Sequence, residues 1–538
     1  SMSAAGNCLM ARVLLQRRGS SNTGNAGTTN SNASTNNEAT TESGDASADA
    51  AATDSDVEKP EEITIMVDGT VFTQENGQAE FIAKLEDLLG MKINVIQPDH
   101  DAYYDVVGQT VASGDWPDVM ILSSTYYAGY AEQGVLWDMT DAYASSDLKT
   151  RQDAYGSTGV IDGVRLDGKL YGMPAARGNG CVTYVKKAWL DAAGISTADV
   201  EGKTLDFNTY YGYLKQMAAN KGHYVISAPG FISNEAPYTN YLPEFYQQAN
   251  YTFYKNSSGQ YVDGFSEDKM KEALQRIQTA VNDGIIDKES VNNSTSNARD
   301  KFYSTDAGSE SGVFTYWAGT WANTLKTQLA TKGLDNELIA IKPIKELGTY
   351  VERIAPCWCI TTAAKNPEGI FKYFIDTMLD GGDVQTLWEY GAKGTHWDTK
   401  AETVTLAKDD EGKKTKTYEE GQFHFLPQPE SPDKLMSKNH IDPILALAKF
   451  QDGKEDPGAS AMTETAKANG DFFAENSTVA VPLPMTTALS ENITDINTAR
   501  NYVISQVALG YMTVDEGMNY YKTTVGSLAD TVLKSLNK

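Results

Sequence analysis

The chain carries 8 tryptophans and 29 tyrosines, and several fall at the ends of segments rather than on an apolar helical or strand face. A flat aromatic ring with one polar handle can fill a core, or it can stack on the apolar C–H face of a pyranose. Trp317 and Trp321 bracket the turn Ala318-Gly319-Thr320 after the apolar run Val313-Phe314-Thr315-Tyr316. Each is read as a ligand platform or a core ring. Trp358 lies within Ile354-Ala355-Pro356-Cys357-Trp358-Cys359-Ile360, as a platform or as packing on that strand. Trp397 follows His396 in a Gly-bounded loop, and both are candidates for ligand contact. Trp388 and Trp189 read as core.

Sugar hydroxyls also need fixed donors and acceptors. Arg177 and Asn179 supply them in the Gly-rich stretch Ala175-Ala176-Arg177-Gly178-Asn179-Gly180. Asp68 follows the first strand, where a salt bridge is the competing role. Tyr126 and Tyr127 follow the third, one expected to face ligand and the other the core. Tyr238 and Asn240, with Glu235 beside them, lie in a tyrosine-rich region without clear periodicity.

Other chemistries find little support. With 72 acidic residues, a pair of carboxylates suited to glycoside hydrolysis can always be found, so the acids do not specify one. There is no G-x-S-x-G elbow, no Walker loop and no dinucleotide fingerprint after the first strand. The 5 histidines are scattered and the 4 cysteines (Cys8, Cys181, Cys357, Cys359) lack zinc spacing. No metal or cofactor is expected. The default for Cys357 and Cys359 is buried thiols, and a bridge from Cys181 to either stays open. A net charge of -27 argues against nucleic acid, whose phosphates need Lys and Arg. No apolar run reaches the roughly 18 residues of a membrane span.

At 538 residues the chain is long enough for two lobes. Residues 1–20 read as an expression tag and 21–58 as a disordered, acidic Ser/Thr/Asn-rich linker, since little in it can bury a core. Order begins near Pro60. Ile63–Val67, Ile93–Ile96 and Val119–Leu122 read as strands, with helical spacing at Phe81, Ile82, Leu85, Leu88, Leu89 and at Tyr104, Val107, Val111. That alternation implies a parallel sheet wound with helices, whose ligands sit beyond the carboxyl ends of the strands. Further on, Asp206 caps a helix from Phe207 to about Ala219. Met270, Leu274, Ile277 and Val281 mark another, and Thr320 is placed to cap a third. Pro367 opens one more, residues 407–421 read as an exposed hairpin, and Thr513 with Glu516 makes a capping box.

Four motifs in order carry a resemblance. Asp167-Gly168-Lys169-Leu170-Tyr171-Gly172-Met173-Pro174, then Lys187, Trp189-Leu190-Asp191 and Gly194, are similar to a segment of the extracellular solute-binding proteins that serve bacterial ABC importers of carbohydrates. Ser113-Gly114-Asp115-Trp116-Pro117-Asp118-Val119 resembles a second family motif, and its residues are expected to shape a turn. Leu387 to Trp397 resembles a third, with Lys393 in place of the usual Glu, and the closing helices resemble the family's. The resemblance implies an α/β, two-lobed periplasmic-binding-protein-like fold of type II, with a ligand cleft between lobes joined by crossing segments. It places 59–174 and 354–425 in one lobe and 175–353 and 426–538 in the other. It also implies a monomeric, lipid-anchored protein on the extracellular face of a Gram-positive membrane. Such a protein hands an oligosaccharide to a membrane permease. Neutral xylo- or manno-oligosaccharides are the favoured ligands. A surface glycoside hydrolase, or an importer component for peptides, is the alternative. Some long members hold calcium in a loop that here reads Ala219-Asn220-Lys221-Gly222-His223-Tyr224. That loop has no carboxylate, so calcium is not expected.

Overall fold

A computed structural model describes residues 56–69, 73–154, 161–174, 179–233, 237–409, 412–436, 463–481, 483–484 and 486–538. The tag, most of the linker, Arg177 and Glu235 lie outside the described residues. The chain divides into two compact units. Within the described residues, the N-terminal unit holds 56–178 and 354–464, and the second unit holds 179–353 and 465–538.

The N-terminal unit is built on alternating strands and helices. β1 (Glu62–Met66), α1 (Gln78–Leu89), β2 (Lys92–Ile96), α2 (Tyr103–Ser113) and β3 (Val119–Leu122) follow one another. β1 pairs in parallel with both β2 and β3. α1 buries Phe81, Leu85 and Leu89, and Gly90 closes it in the left-handed conformation that glycine tolerates. The Ser113–Val119 motif does shape a turn. Ser113 Oγ donates to Thr110 O (2.7 Å) and accepts from Asp115 N (3.2 Å), while the Asp118 carboxylate accepts from Thr64 N (2.8 Å). β4 (Met173–Pro174) follows the tight turn at Asp167-Gly168, where both residues have positive φ.

The second unit opens with β5 (Cys181–Lys186). α3 (Phe207–Lys221) is capped by Asp206, which accepts from Thr209 N. Next come α4 (Pro243–Tyr246), α5 (Asp268–Asn282) and α6 (Thr295–Phe302). β6 (Val313–Trp317) leads into α7 (Thr320–Thr331). The cap of α7 is Gly319 rather than the expected Thr320. Gly319, at φ 75° and ψ -121°, holds a conformation closed to a β-branched residue. β7 (Leu338–Ala340) and β8 (Tyr350–Glu352) follow, and β6 and β7 flank β5 antiparallel.

The chain returns to the N-terminal unit as β9 (Cys357–Ile360), antiparallel to β3 and β4, completing a sheet of order β2-β1-β3-β9-β4. α8 (Asp383–Tyr390) packs on α1, and β10 (Trp397–Asp398) follows it. A hairpin is present, starting five residues earlier than the expected 407–421, as β11 (Glu402–Asp409) and β12 (Gly412–Tyr418), with its tip outside the described residues. β13 (His424–Phe425) then pairs with β10. The second unit resumes at Thr465, whereas the sequence reading returned to it at 426. The difference has a local cause. The β10–β13 pairing, Leu426 N on His396 O (3.0 Å), and Glu430 on the Asn76 side chain (2.9 and 3.1 Å) hold the described residues up to 436 with the N-terminal unit. β14 (Ser477–Val479) pairs with β8, and α9 (Thr487–Ala508) and α10 (Val514–Leu536) pack on each other. Thr513 and Glu516 form the expected capping box of α10. All three described cysteines are free and buried, so the bridge left open for Cys181 is not formed.

Candidate functional site

The strongest convergence of candidate residues lies in the second unit, at the turn from β6 into α7. Five residues of β6 are buried in succession, as expected of a strand covered on both faces. Trp317 therefore ends the strand with its ring against neighbours from elsewhere. Tyr238 lies 6.5 Å from it, centroid to centroid, and the Arg353 guanidinium 5.8 Å above it. At the second residue of α7, Trp321 meets Tyr316 edge-on at 5.0 Å, with the Arg299 guanidinium 5.0 Å over its face. Arg299 also donates to the Tyr316 hydroxyl (2.9 Å).

Asn179 joins this corner. It sits at φ 65°, a conformation Asn tolerates better than most residues. Its side-chain amide donates to Ala318 O (3.0 Å), and its backbone carbonyl accepts from Arg353 N (2.7 Å). Asn240, on the Tyr238 loop, accepts from Leu242 N (2.9 Å). The corner thus gathers Asn179, Tyr238, Trp317 and Trp321, which were read from the sequence. It adds Arg299, Arg353 and Tyr316, which were not. The indole N–H groups of Trp317 and Trp321 are buried and have no hydrogen-bond partner among the described residues.

The N-terminal unit offers a second set at the carboxyl ends of its strands. Asp68 pairs with His100 at 2.8 Å, the competing role foreseen for it. Tyr126 stacks on Tyr104 (4.2 Å, 20° between planes), and the Tyr104 hydroxyl meets Ser123 Oγ at 2.7 Å. Tyr103 ties β1 to β3 through Met66 O (3.1 Å) and Ile121 O (2.7 Å).

Three readings are corrected or narrowed here. Tyr127 is fully buried, with its hydroxyl on Val164 O (2.7 Å), so it is a core residue rather than a ligand contact. Trp358 is also 0% exposed, edge-on to Trp388 (5.1 Å) and Phe374 (5.6 Å), and has no face to offer. His396 and Trp397 hold their own loop. Trp397 donates to Gly391 O (2.8 Å) and stacks on Phe423. His396 Nδ1 accepts from Ala392 N (2.8 Å), so Nε2 donates to Asn76 O (2.7 Å). Burial holds the His396 imidazole below its usual pKa. Trp189 is structural as expected: it bonds Glu310, and a side chain at Gly312 would strike its ring.

Residues 80–388 match the family described as bacterial extracellular solute-binding proteins. The chain belongs to that family. Solved structures agree on the fold. The family 1 solute-binding protein of Alicyclobacillus acidocaldarius superposes with a TM-score of 0.56 at 16% identity, covering 89% of this chain and 99% of that one. The sugar-binding protein MalE of Xanthomonas citri gives 0.55 at 16% identity, covering 88% and 98%. The maltose-bound MalE3 of T. maritima gives 0.50 at 13%, covering 87% and 99%. The fold of this solute-binding protein is the two-domain, periplasmic-binding-protein-like α/β fold.

The β6–α7 corner sets rings beside guanidinium groups, with Trp317 6% and Trp321 7% exposed. No group of three or more His, Cys, Asp or Glu suited to a metal occurs among the described residues. None of the described helices is long and apolar enough to cross a membrane.

Proposed function

We propose that this solute-binding protein captures an oligosaccharide and passes it, chemically unchanged, to the membrane permease of an ABC importer. The observation that carries the reading is the β6–α7 corner, where Trp317 lies against Tyr238, Trp321 against Tyr316, and the Asn179 amide bonds Ala318 O, all within one unit. Rings beside fixed polar groups suit a pyranose, which is apolar on its faces and polar at its rim. Two of the structures it resembles are described as a sugar-binding protein and a maltose-bound protein. Within this reading the ligand is a neutral β-linked xylo- or manno-oligosaccharide. Residues 21–58 act as a tether to a lipid anchor on the outer face of a Gram-positive membrane, and the protein works as a monomer. Asp68, Tyr126 and Asn240 stay within the proposal as further polar contacts, and Arg177 with them.

Calorimetric titration against xylo-, manno- and malto-oligosaccharides and a set of short peptides, with product analysis of the same samples, tests it. Saturable binding with intact sugar is the expected result. Shortened products would make the protein a glycoside hydrolase. Binding only of peptides would reassign the importer.

A further inference from the structure

The turn that joins β6 to α7 has its backbone tied down from several sides. Trp317 O accepts from the Tyr184 hydroxyl (2.7 Å), and Ala318 N donates to Gly180 O (2.9 Å). Ala318 O takes the Asn179 amide, and Gly319 O accepts from Ala322 N (3.0 Å). The N–H of Gly319 reaches Oδ1 of Asn469 at 2.6 Å. Asn469 comes from a distant stretch, the helix Glu464–Glu475, whose residues from Thr465 onward belong to the second unit. That helix buries Ala466, Asn469, Gly470 and Phe473 along one face. Phe473 fixes it against the same corner. The ring stacks on Tyr350 (6.5 Å, 23° between planes), and a side chain at Gly180 would strike it.

Asn469 is 9% exposed. A backbone N–H can only donate, so the atom facing Gly319 N is the amide oxygen, and the orientation of the side chain follows. The Tyr184 hydroxyl lies 3.3 Å from the same oxygen. The other end of the amide, Nδ2, carries two protons and has no hydrogen-bond partner among the described residues. It is not sealed in either, as the indole N–H groups of Trp317 and Trp321 are. Two more donors stand at this end of α7. Thr320 N and Trp321 N have no partner among the described residues, since a helix leaves its first N–H groups without intrahelical acceptors.

We infer that Asn469 is a ligand contact, whose Nδ2 donates to a sugar hydroxyl oxygen held at the start of α7, beside the open N–H groups of Thr320 and Trp321. The chemistry is matched. The groups left open here are donors, and every sugar hydroxyl oxygen accepts. An amide enclosed without a partner would be costly, so a ligand that covers Nδ2 must bond it. The hydrogen bond from Gly319 N already holds the amide in place, and a preorganised donor has little freedom left to lose on binding. The inference rests on the reading of the β6–α7 corner as the ligand site.

The test is a double-mutant cycle in affinity. The tightest binder among xylotetraose, mannotetraose and maltotetraose is titrated, with its monodeoxy analogues, against wild type and Asn469→Ala. The variant should bind the parent sugar about 10-fold more weakly. One monodeoxy analogue should lose a similar factor on wild type and nothing further on the variant, because the pair is already broken. Equal losses for the parent and every analogue would make Asn469 a residue that only positions the turn, and overturn the inference. Unchanged affinity for the parent sugar overturns it too, and both results leave sugar binding standing. If none of the three sugars binds wild type, the proposed function falls and the inference with it. Should the variant not fold, nuclear Overhauser contacts in wild type decide. Cross-peaks from the Asn469 side-chain amide protons to the bound sugar support the inference, and their absence overturns it.

Discussion

Two tryptophan clusters in this chain have opposite surroundings. In the N-terminal unit Trp358 and Trp388 lock edge-to-face with Phe374 and Phe81, at centroid distances of 5.1 to 6.0 Å. In the second unit Trp317 and Trp321 stand among two guanidiniums, two tyrosines and an amide. Rings that meet only rings stabilise a core. Trp317 and Trp321 are also largely buried, at 6% and 7% exposed, but they lie beside guanidinium and polar groups that the Trp358 cluster lacks. The partners of a tryptophan, rather than the tryptophan itself, separate the two cases.

The contrast breaks most visibly at Trp358. Replacing it with Ala opens a cavity among rings that cannot close it, and should cost about 3–5 kcal/mol of stability. Chemical denaturation measures this. A small loss would mean that the cluster is not a closed core. Trp321→Ala should lower sugar affinity by about 10-fold to 100-fold, the worth of one stacked ring and its cation contact. Unchanged affinity by calorimetry would remove Trp321 from the site.

The Trp397 loop sharpens the comparison, because its indole N–H is satisfied within the protein. Its neighbour His396 has a pKa below the usual histidine value, so the folded state resists a proton that the unfolded chain accepts. Stability from this group is complete above the unfolded pKa and is lost as pH falls toward the folded one. The loss is at most about 1.4 kcal/mol per pH unit. Melting curves of wild type and His396→Gln should diverge on the acid side, and parallel curves would refute the assignment. Asp206→Ala, which removes the cap of α3 away from both clusters, should cost about 1 kcal/mol. It should leave sugar affinity unchanged, and a change in affinity would show that the two units' clusters are not the whole account.

Local signals made much of the fold legible. Asp206, Gly90, Pro367 and the Thr513–Glu516 box act through backbone groups within a few residues. Such effects survive whatever the tertiary setting. The site was legible only in part. Trp358 reads like a platform because Cys357–Ile360 is apolar throughout, and a strand buried on both faces shows no alternation. Arg299 and Arg353 went unread because their partners lie on other elements, and no spacing rule connects a helix at 299 to a ring at 321. Asn469 was hidden for the same reason. An amide in a late helix looks solvated until the Gly319 N–H closes on it.

The most direct test of the account is a proton–nitrogen spectrum of the 8 tryptophan indoles as the bound oligosaccharide is titrated in. The signals of Trp317 and Trp321 should move with saturation, while those of Trp358 and Trp388 stay in place. Movement confined to Trp358 and Trp388, or binding that shifts neither pair, would contradict the claim that the β6–α7 corner holds the ligand.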